Sequence, residues 1–277
     1  MLLGQSISAV GWVNGTVPDC RNIVELPMTD IAGAGIAVGC AMIGRRPIFV
    51  LRFQDFITLN GSPLINYAAK VKDLHGQTAP VFVRSVGAEY LGCVHSGVHH
   101  AIPMHFPGFR VCSPMTPGEY EDCWRTFMDN DDPIYVSEHK SSFQNTQEME
   151  NIIRDDAQIT VYAISSTRFS AQEAVAALDA QGIACNLVHL YWLKPLNLTE
   201  QELAPLKQSR KGLVVDAGFE ICGASRDIAY SLMDSTGQPV KALGLLDRTK
   251  CLCPPYQNTA PDAQRIVEMV KGMVSPT

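Results

Sequence analysis

Leu26-Pro27-Met28-Thr29-Asp30 runs directly into Ile31-Ala32-Gly33-Ala34-Gly35-Ile36-Ala37-Val38-Gly39-Cys40-Ala41-Met42, and Gly44-Arg45-Arg46-Pro47 follows. Small apolar residues dominate the middle of this stretch, which predicts a helix over residues 31–44 stripped of side chains on one face. Something can then pack very close to it. Gly33-Ala34-Gly35 with Gly39 superficially matches a dinucleotide-binding glycine loop. That fingerprint needs a tight turn leaving a strand, whereas here residues 27–30 intervene and the glycines sit inside the helical run. Thr29 and Asp30 stand immediately before the helix. An Asp at this place reads in two ways: as an N-cap for the first free amides, or as a carboxylate held at a helix N-terminus beside a buried ligand.

Outward from this helix, short runs of branched residues alternate with helical patterns. Strands are predicted over residues 47–53, 80–84, 109–113 and 133–138. Helices are predicted over 60–74, after Ser96, and over 118–128, the last opened by Thr116-Pro117. Such alternation implies parallel strands with helical crossovers. The polar stretch 140–156 lacks apolar periodicity and reads as a linker. Beyond it the alternation resumes, with strands at 159–164, 185–190, 212–215 and 240–245 and helices at 170–180, 199–206, 224–233 and 261–270. The expectation is an α/β protein of two domains, residues 1–145 and 156–277, a division that 277 residues also suggest.

Composition narrows the function. Net charge is −6, and the 22 Lys and Arg are scattered, so no basic footprint for nucleic acid is present. No apolar stretch reaches the roughly 20 residues that cross a bilayer, and residues 1–12 lack a secretion-signal pattern. A cytoplasmic protein with no membrane partner is the expectation. Cys20, Cys40, Cys93, Cys112, Cys123, Cys185 and Cys222 are far apart in apolar surroundings and read as reduced, buried thiols. Cys251 and Cys253 lack the two-residue gap of zinc or redox motifs.

His95-Ser96 follows a loop containing Gly87 and Gly92, with His99, His100 and His105 beyond. His95 and His99 are four apart, a spacing that can make a metal pair, but no local carboxylate or Cys completes a ligand set. No metal site is therefore assigned. His95 reads instead as an acid, a base or a hydrogen-bond donor to an anionic substrate. There is no Gly-x-Ser-x-Gly elbow and no Gly-Lys-Ser/Thr phosphate loop.

The order of these motifs resembles the beta subunits of the thiamine-diphosphate-dependent 2-oxoacid dehydrogenases, which share their fold with the second half of transketolases. The resemblance is carried by Leu26 to Asp30, the small-residue helix, Gly44-Arg45-Arg46-Pro47 and Phe53-Gln54-Asp55-Phe56. It continues through Asn66-Tyr67-Ala68-Ala69-Lys70, His95-Ser96, His105-Phe106-Pro107-Gly108-Phe109, Ser113-Pro114 and Asp132-Pro133 to Glu138. Lys194-Pro195-Leu196, Val214-Val215-Asp216 and Gly223 fit the second domain. The resemblance implies a pyrimidine-binding domain followed by a transketolase C-terminal-like domain. It implies that Asp30 hydrogen-bonds the aminopyrimidine ring nitrogen and favours the imino tautomer that deprotonates the thiazolium. Phe53 and Phe56 are then the walls around the pyrimidine, Gly33 belongs to the cofactor-binding helix, and His95 assists proton transfer or orients substrate.

The diphosphate and its Mg2+ need a Gly-Asp-Gly motif with a downstream Asn, which this chain does not contain. In the family that motif lies on an alpha subunit. The resemblance thus implies an alpha partner holding the diphosphate and Mg2+, an assembly of two alpha and two beta chains, and a small-molecule 2-oxo acid or ketose as substrate. Four departures stand out. Asp30 replaces Glu, a reach shorter by about 1.5 Å. Gly97 replaces the Gln that commonly follows His-Ser, Val50 replaces a frequent Glu, and no helix precedes Leu2-Leu3-Gly4. They bring in two alternatives: a split transketolase-like or acyloin-forming transferase of secondary metabolism, and a non-catalytic scaffold chain.

Overall fold

The computed structural model describes residues 1–7, 13, 15–88, 94–250 and 257–275. Gly92, Cys93, Cys251 and Cys253 lie outside the described residues. The chain divides into two compact units, Met1–Gln147 and Glu148–Thr277.

In the first unit the strands are β1 (Leu2–Gln5), β2 (Ile23–Leu26), β3 (Ile48–Leu51), β4 (Phe82–Gly87), β5 (Arg110–Cys112) and β6 (Ile134–His139). They run in the order β2-β1-β3-β4-β6-β5, every pairing parallel. Parallel strands buried on both faces need continuous apolar runs, and Phe49, Val50, Leu51, Val83, Ile134, Tyr135 and Val136 supply them. The helices are α1 (Asp30–Met42), α2 (Ile57–Pro63), α3 (Val71–His75), α4 (Ala101–His105) and α5 (Pro117–Asp129).

Two predicted elements change shape. The helix expected over 60–74 is α2, a π-helical turn at Leu64–Ala68 and α3. Pro63, which lacks the amide hydrogen a regular helix uses, stands at the junction. The small-residue helix is close-packed on one side only. Gly33, Ala34, Ala37, Val38 and Ala41 are buried, while a Cβ at Gly35 or Gly39 would meet nothing within 4 Å.

Arg46, from the Gly-Arg-Arg-Pro motif, closes the far end of α5. Its guanidinium donates to the carbonyls of Phe127 (2.7 Å) and Asn130 (2.8 Å), groups that a helix C-terminus leaves without partners. Gly108 is tied to its place by backbone geometry. Its φ is +83°, and a Cβ there would lie 1.7 Å from the carbonyl oxygen of Ala69.

In the second unit β7 (Ile159–Ala163), β8 (Cys185–His189), β10 (Gly212–Phe219) and β11 (Val240–Leu245) form a parallel sheet in the order β11-β10-β7-β8. A short strand, β9 (Trp192–Lys194), precedes α7 (Glu200–Ser209). The other helices are α6 (Thr167–Asp179), α8 (Ala224–Thr236) and α9 (Ala263–Val274). Ile159, Val161, Leu187, Leu213, Val215, Ala171, Leu178 and Ile266 share one core.

The stretch read as a linker is not a free tether. Ser142 is buried, its hydroxyl donating to the His139 carbonyl at 2.7 Å, and Ile152 bridges to Leu187. The cysteines also need correction. Cys112, Cys123 and Cys185 are buried, but Cys40 is half-buried and Cys20 and Cys222 are exposed. Cys40 belongs to a helix packed on one side only, and Cys222 takes a left-handed backbone (φ 49°) just before α8. No helix of the described residues is long and apolar enough to cross a membrane.

Candidate functional site

The head of α1 is capped from outside the helix. Gln5, at the end of β1, turns its carboxamide oxygen to accept from the amides of Thr29 (3.0 Å) and Asp30 (3.1 Å). Two of the donors that a helix N-terminus leaves open are satisfied in this way. Thr29 occupies the N-cap position without a side-chain cap bond, and its hydroxyl donates to the Pro27 carbonyl at 3.2 Å. Asp30 is therefore not the cap, which was one of its two sequence readings. Its carboxylate lies in the first turn, where the helix dipole favours negative charge. Oδ1 accepts from Asn60 Nδ2 of α2 at 3.2 Å, and Oδ2 accepts no hydrogen bond among the described residues.

Asn60 is almost wholly buried. Its Nδ2 also donates to the Phe56 carbonyl at 3.1 Å, while its Oδ1 has no partner. A buried polar atom left without a partner is uncommon in folded proteins. Asp30, Asn60, Phe56, Arg52, Phe49 and Gln5 line a small cavity of about 10 Å3, room for one water molecule.

A 3-10 turn at Gln54–Phe56 carries the next group. Phe53 and Phe56 meet edge to face, with centroids 5.5 Å apart, and both rings contact His95, at 4.6 Å and 5.7 Å. The Arg52 guanidinium lies over both, at 5.6 Å and 5.8 Å. Gln54, fully buried, donates to Ser137 Oγ at 2.7 Å and accepts from the His99 amide at 2.8 Å. Asp55 accepts from the Gly97 amide at 3.0 Å and pairs with His99 Nε2 at 3.2 Å. Burial pushes the Asp55 carboxyl up, but the hydrogen bond and charge of His99, helped by the Gly97 amide, outweigh it and hold it below the usual carboxylate range. His100 is buried, with Nδ1 at 3.2 Å from Ser137 Oγ.

Of the residues singled out from the sequence, Asp30 and Phe56 line one cavity, and Phe53, Phe56 and His95 form one aromatic cluster. Gly33 does not join them: it is buried where a Cβ would meet Leu26 at 3.2 Å and Phe49 at 3.8 Å. It seats α1 on the sheet. His95 and His99 do not face a common ion, since His99 turns Nε2 to Asp55, and no group of three or more metal-ligating side chains occurs among the described residues. Sequence reasoning missed Gln5, Asn60, Gln54 and Asp55 as parts of the site. Their long-range partners lie 24 to 84 residues away in the chain, and no local pattern announces them.

Residues 10–146 match the model of the transketolase pyrimidine binding domain, and residues 150–266 that of the transketolase C-terminal domain. The acetoin:2,6-dichlorophenolindophenol oxidoreductase subunit beta of Cupriavidus necator is 28% identical over 249 residues, 84% of this chain and 72% of that one. The pyruvate dehydrogenase E1 component subunit beta of Rickettsia felis is 25% identical over 77% of this chain and 70% of its own. Among solved structures, a split-gene transketolase described as an inactive beta4 tetramer superposes with a TM-score of 0.77 at 17% identity, covering 99% of this chain and 91% of that one. Transketolase from Campylobacter jejuni gives 0.74 at 16%, and this chain spans 43% of it.

Proposed function

This chain belongs to the transketolase-like family, with its pyrimidine-binding and C-terminal domains, and on that premise we propose that it is the beta half of a two-subunit thiamine-diphosphate enzyme that cleaves a 2-oxo acid. The observation that carries the reading is the Asp30 carboxylate at the head of α1, one oxygen held by Asn60 and the other open. A half-buried acceptor beside an aromatic side chain and an unpartnered buried amide oxygen is chemistry that suits an aminopyrimidine ring.

Thiamine diphosphate, when bound, supplies a nucleophilic carbon that attacks the substrate carbonyl. This chain's own residues do the rest at its side of the site. Asp30 would hold the pyrimidine ring nitrogen through a charge-assisted hydrogen bond, with Asn60 fixing the carboxylate that is one methylene shorter than the family's Glu. Phe53 and Phe56 would wall the ring and keep water from it. His95, held against both rings, would hold or pass a proton at the reacting carbonyl, or orient the substrate's carboxylate. Gly33 contributes by letting α1 sit close to the sheet. The diphosphate and Mg2+ fall to an alpha partner, because the Gly-Asp-Gly motif is absent from this sequence. An assembly of two alpha and two beta chains would complete two such sites by closed symmetry.

Pyruvate, in the name of the Rickettsia felis relative, is a 2-oxo acid and favours that class over a ketose, whereas acetoin, in the name of the Cupriavidus necator relative, is a hydroxyketone and supports the acyloin alternative. Titrating the purified alpha–beta pair with thiamine diphosphate and Mg2+ tests the reading. Saturable binding that neither chain shows alone is the expected result. No binding at the assembled interface would make this chain a scaffold and overturn the proposal.

A further inference from the structure

The loop that carries His95 is held at three points by two consecutive side chains of the 3-10 turn. Gln54 accepts from the His99 amide (2.8 Å), Asp55 Oδ2 accepts from the Gly97 amide (3.0 Å), and Asp55 Oδ1 pairs with His99 Nε2 (3.2 Å). The turn is itself anchored, because Gln54 Nε2 donates to Ser137 Oγ of β6. Phe53, just before the turn, and Phe56, its last residue, are the rings that touch His95. The position of the His95 imidazole is thus set from both sides by residues 53–56.

The space explains the glycine. A Cβ at Gly97 would lie 2.0 Å from His99 Nε2 and 2.6 Å from Asp55 Oδ1. The Asp55–His99 pair fills the volume where a side chain at 97 would begin, so glycine at 97 and the pair form one device. A residue with any side chain there must displace one partner of the pair.

We infer that Asp55 is a positioning residue for His95, acting through the Gly97 amide and the His99 ring to hold the loop that presents the histidine. The inference rests on the role proposed for His95. It differs from simple loop stabilisation in one respect: the effect of removing Asp55 passes through His95 and vanishes when His95 is gone.

Two measurements test it on the full chain and on the reconstituted alpha–beta pair. In the full chain with isotope-labelled histidine, the His95 ring signals carry the ring-current shift of Phe53, and Asp55→Ala should move them toward solvent values; unmoved signals overturn the inference. In the reconstituted pair, Asp55→Ala should lower kcat on the order of 10- to 100-fold, as loss of orientation does, with KM little changed. Asp55→Asn, which still accepts from the Gly97 amide, should recover part of the loss. Gly97→Ala should resemble Asp55→Ala, and adding either to His95→Ala should cost nothing further. Losses that multiply in the double variants would overturn the inference while leaving the enzyme reading intact. An unmodified pair without activity would sink the enzyme reading instead, and the histidine signals would still decide the positioning.

Discussion

Asn60→Asp is a nearly isosteric change that places a second carboxylate against Asp30. In the structure Asn60 Nδ2 lies 3.2 Å from Asp30 Oδ1, so the variant sets two oxygens of like charge at that separation. Two unit charges about 4 Å apart interact by roughly 1 kcal/mol in water and roughly 4 kcal/mol at the effective dielectric of a protein surface. Asp30 is half-buried and Asn60 is 2% exposed, which puts the repulsion between these limits. The bond to Asp30 and the bond to the Phe56 carbonyl are also lost, about 1 kcal/mol each. The expected total at pH 7.5 is a destabilisation of about 3–6 kcal/mol by the same scales. The sign with pH follows from the repulsion. Protonating either carboxyl removes it, so the gap to the unmodified protein narrows as pH falls. Urea unfolding of the full chain at pH 7.5 and at pH 5 measures both. Equal stability at pH 7.5, or a gap that does not change with pH, would refute the contact between α1 and α2 on which the site is built.

Gly108→Ala combines a left-handed backbone with a Cβ 1.7 Å from the Ala69 carbonyl oxygen. It should cost about 2–5 kcal/mol, seen as a lower urea midpoint; a Tm change under about 2 °C would contradict the close approach. His189 is held neutral first by burial and then by the Arg168 guanidinium, which donates to its Nδ1 at 3.2 Å, and its pKa falls from 6.5 to about 3. Because the unfolded chain takes up that proton first, stability from this residue is intact above about pH 6.5. It is lost as pH falls toward 3, at about 1.4 kcal/mol per pH unit. His189→Asn, which keeps an acceptor for Arg168, should flatten the acid limb of the stability curve. Parallel curves for the two proteins would show that the imidazole is not buried neutral.

Much of the architecture was legible because parallel strands buried on both faces announce themselves as apolar runs. Residues 133–138 and 240–245 are examples, and the observed strands Ile134–His139 and Val240–Leu245 lie on them. β1 and β2 escaped notice for a physical reason. Each is four residues long and its apolar run is interrupted, by Gly4-Gln5 in β1 and by Glu25 in β2, whereas the equally short β3 is a continuous apolar run. In β9, with three residues, Lys194 likewise ends the run. The break at Pro63 was written in the sequence, but the apolar pattern on either side of it overrode the proline in the reading. At the site, the positions of Asp30, Phe53, Phe56 and His95 could be read as residue types around a helix head and a loop. The hydrogen bonds that aim them could not. Asn60 to Asp30 spans 30 residues and His99 to Asp55 spans 44, and such contacts exist only once the sheet has brought α1, α2 and the loop together. The reading of Gly97 as a plain departure from a family pattern likewise becomes intelligible only when His99 and Asp55 are seen in its place.

The most direct test of the account is the activity of the chain mixed with its cognate alpha subunit, assayed for thiamine-dependent cleavage of a 2-oxo acid with and without Asp30→Ala. The account predicts cleavage by the unmodified pair that requires both chains and the cofactor. It predicts that Asp30→Ala abolishes the activity while leaving the chain folded and the pair assembled. Full activity in the Asp30→Ala pair would contradict it.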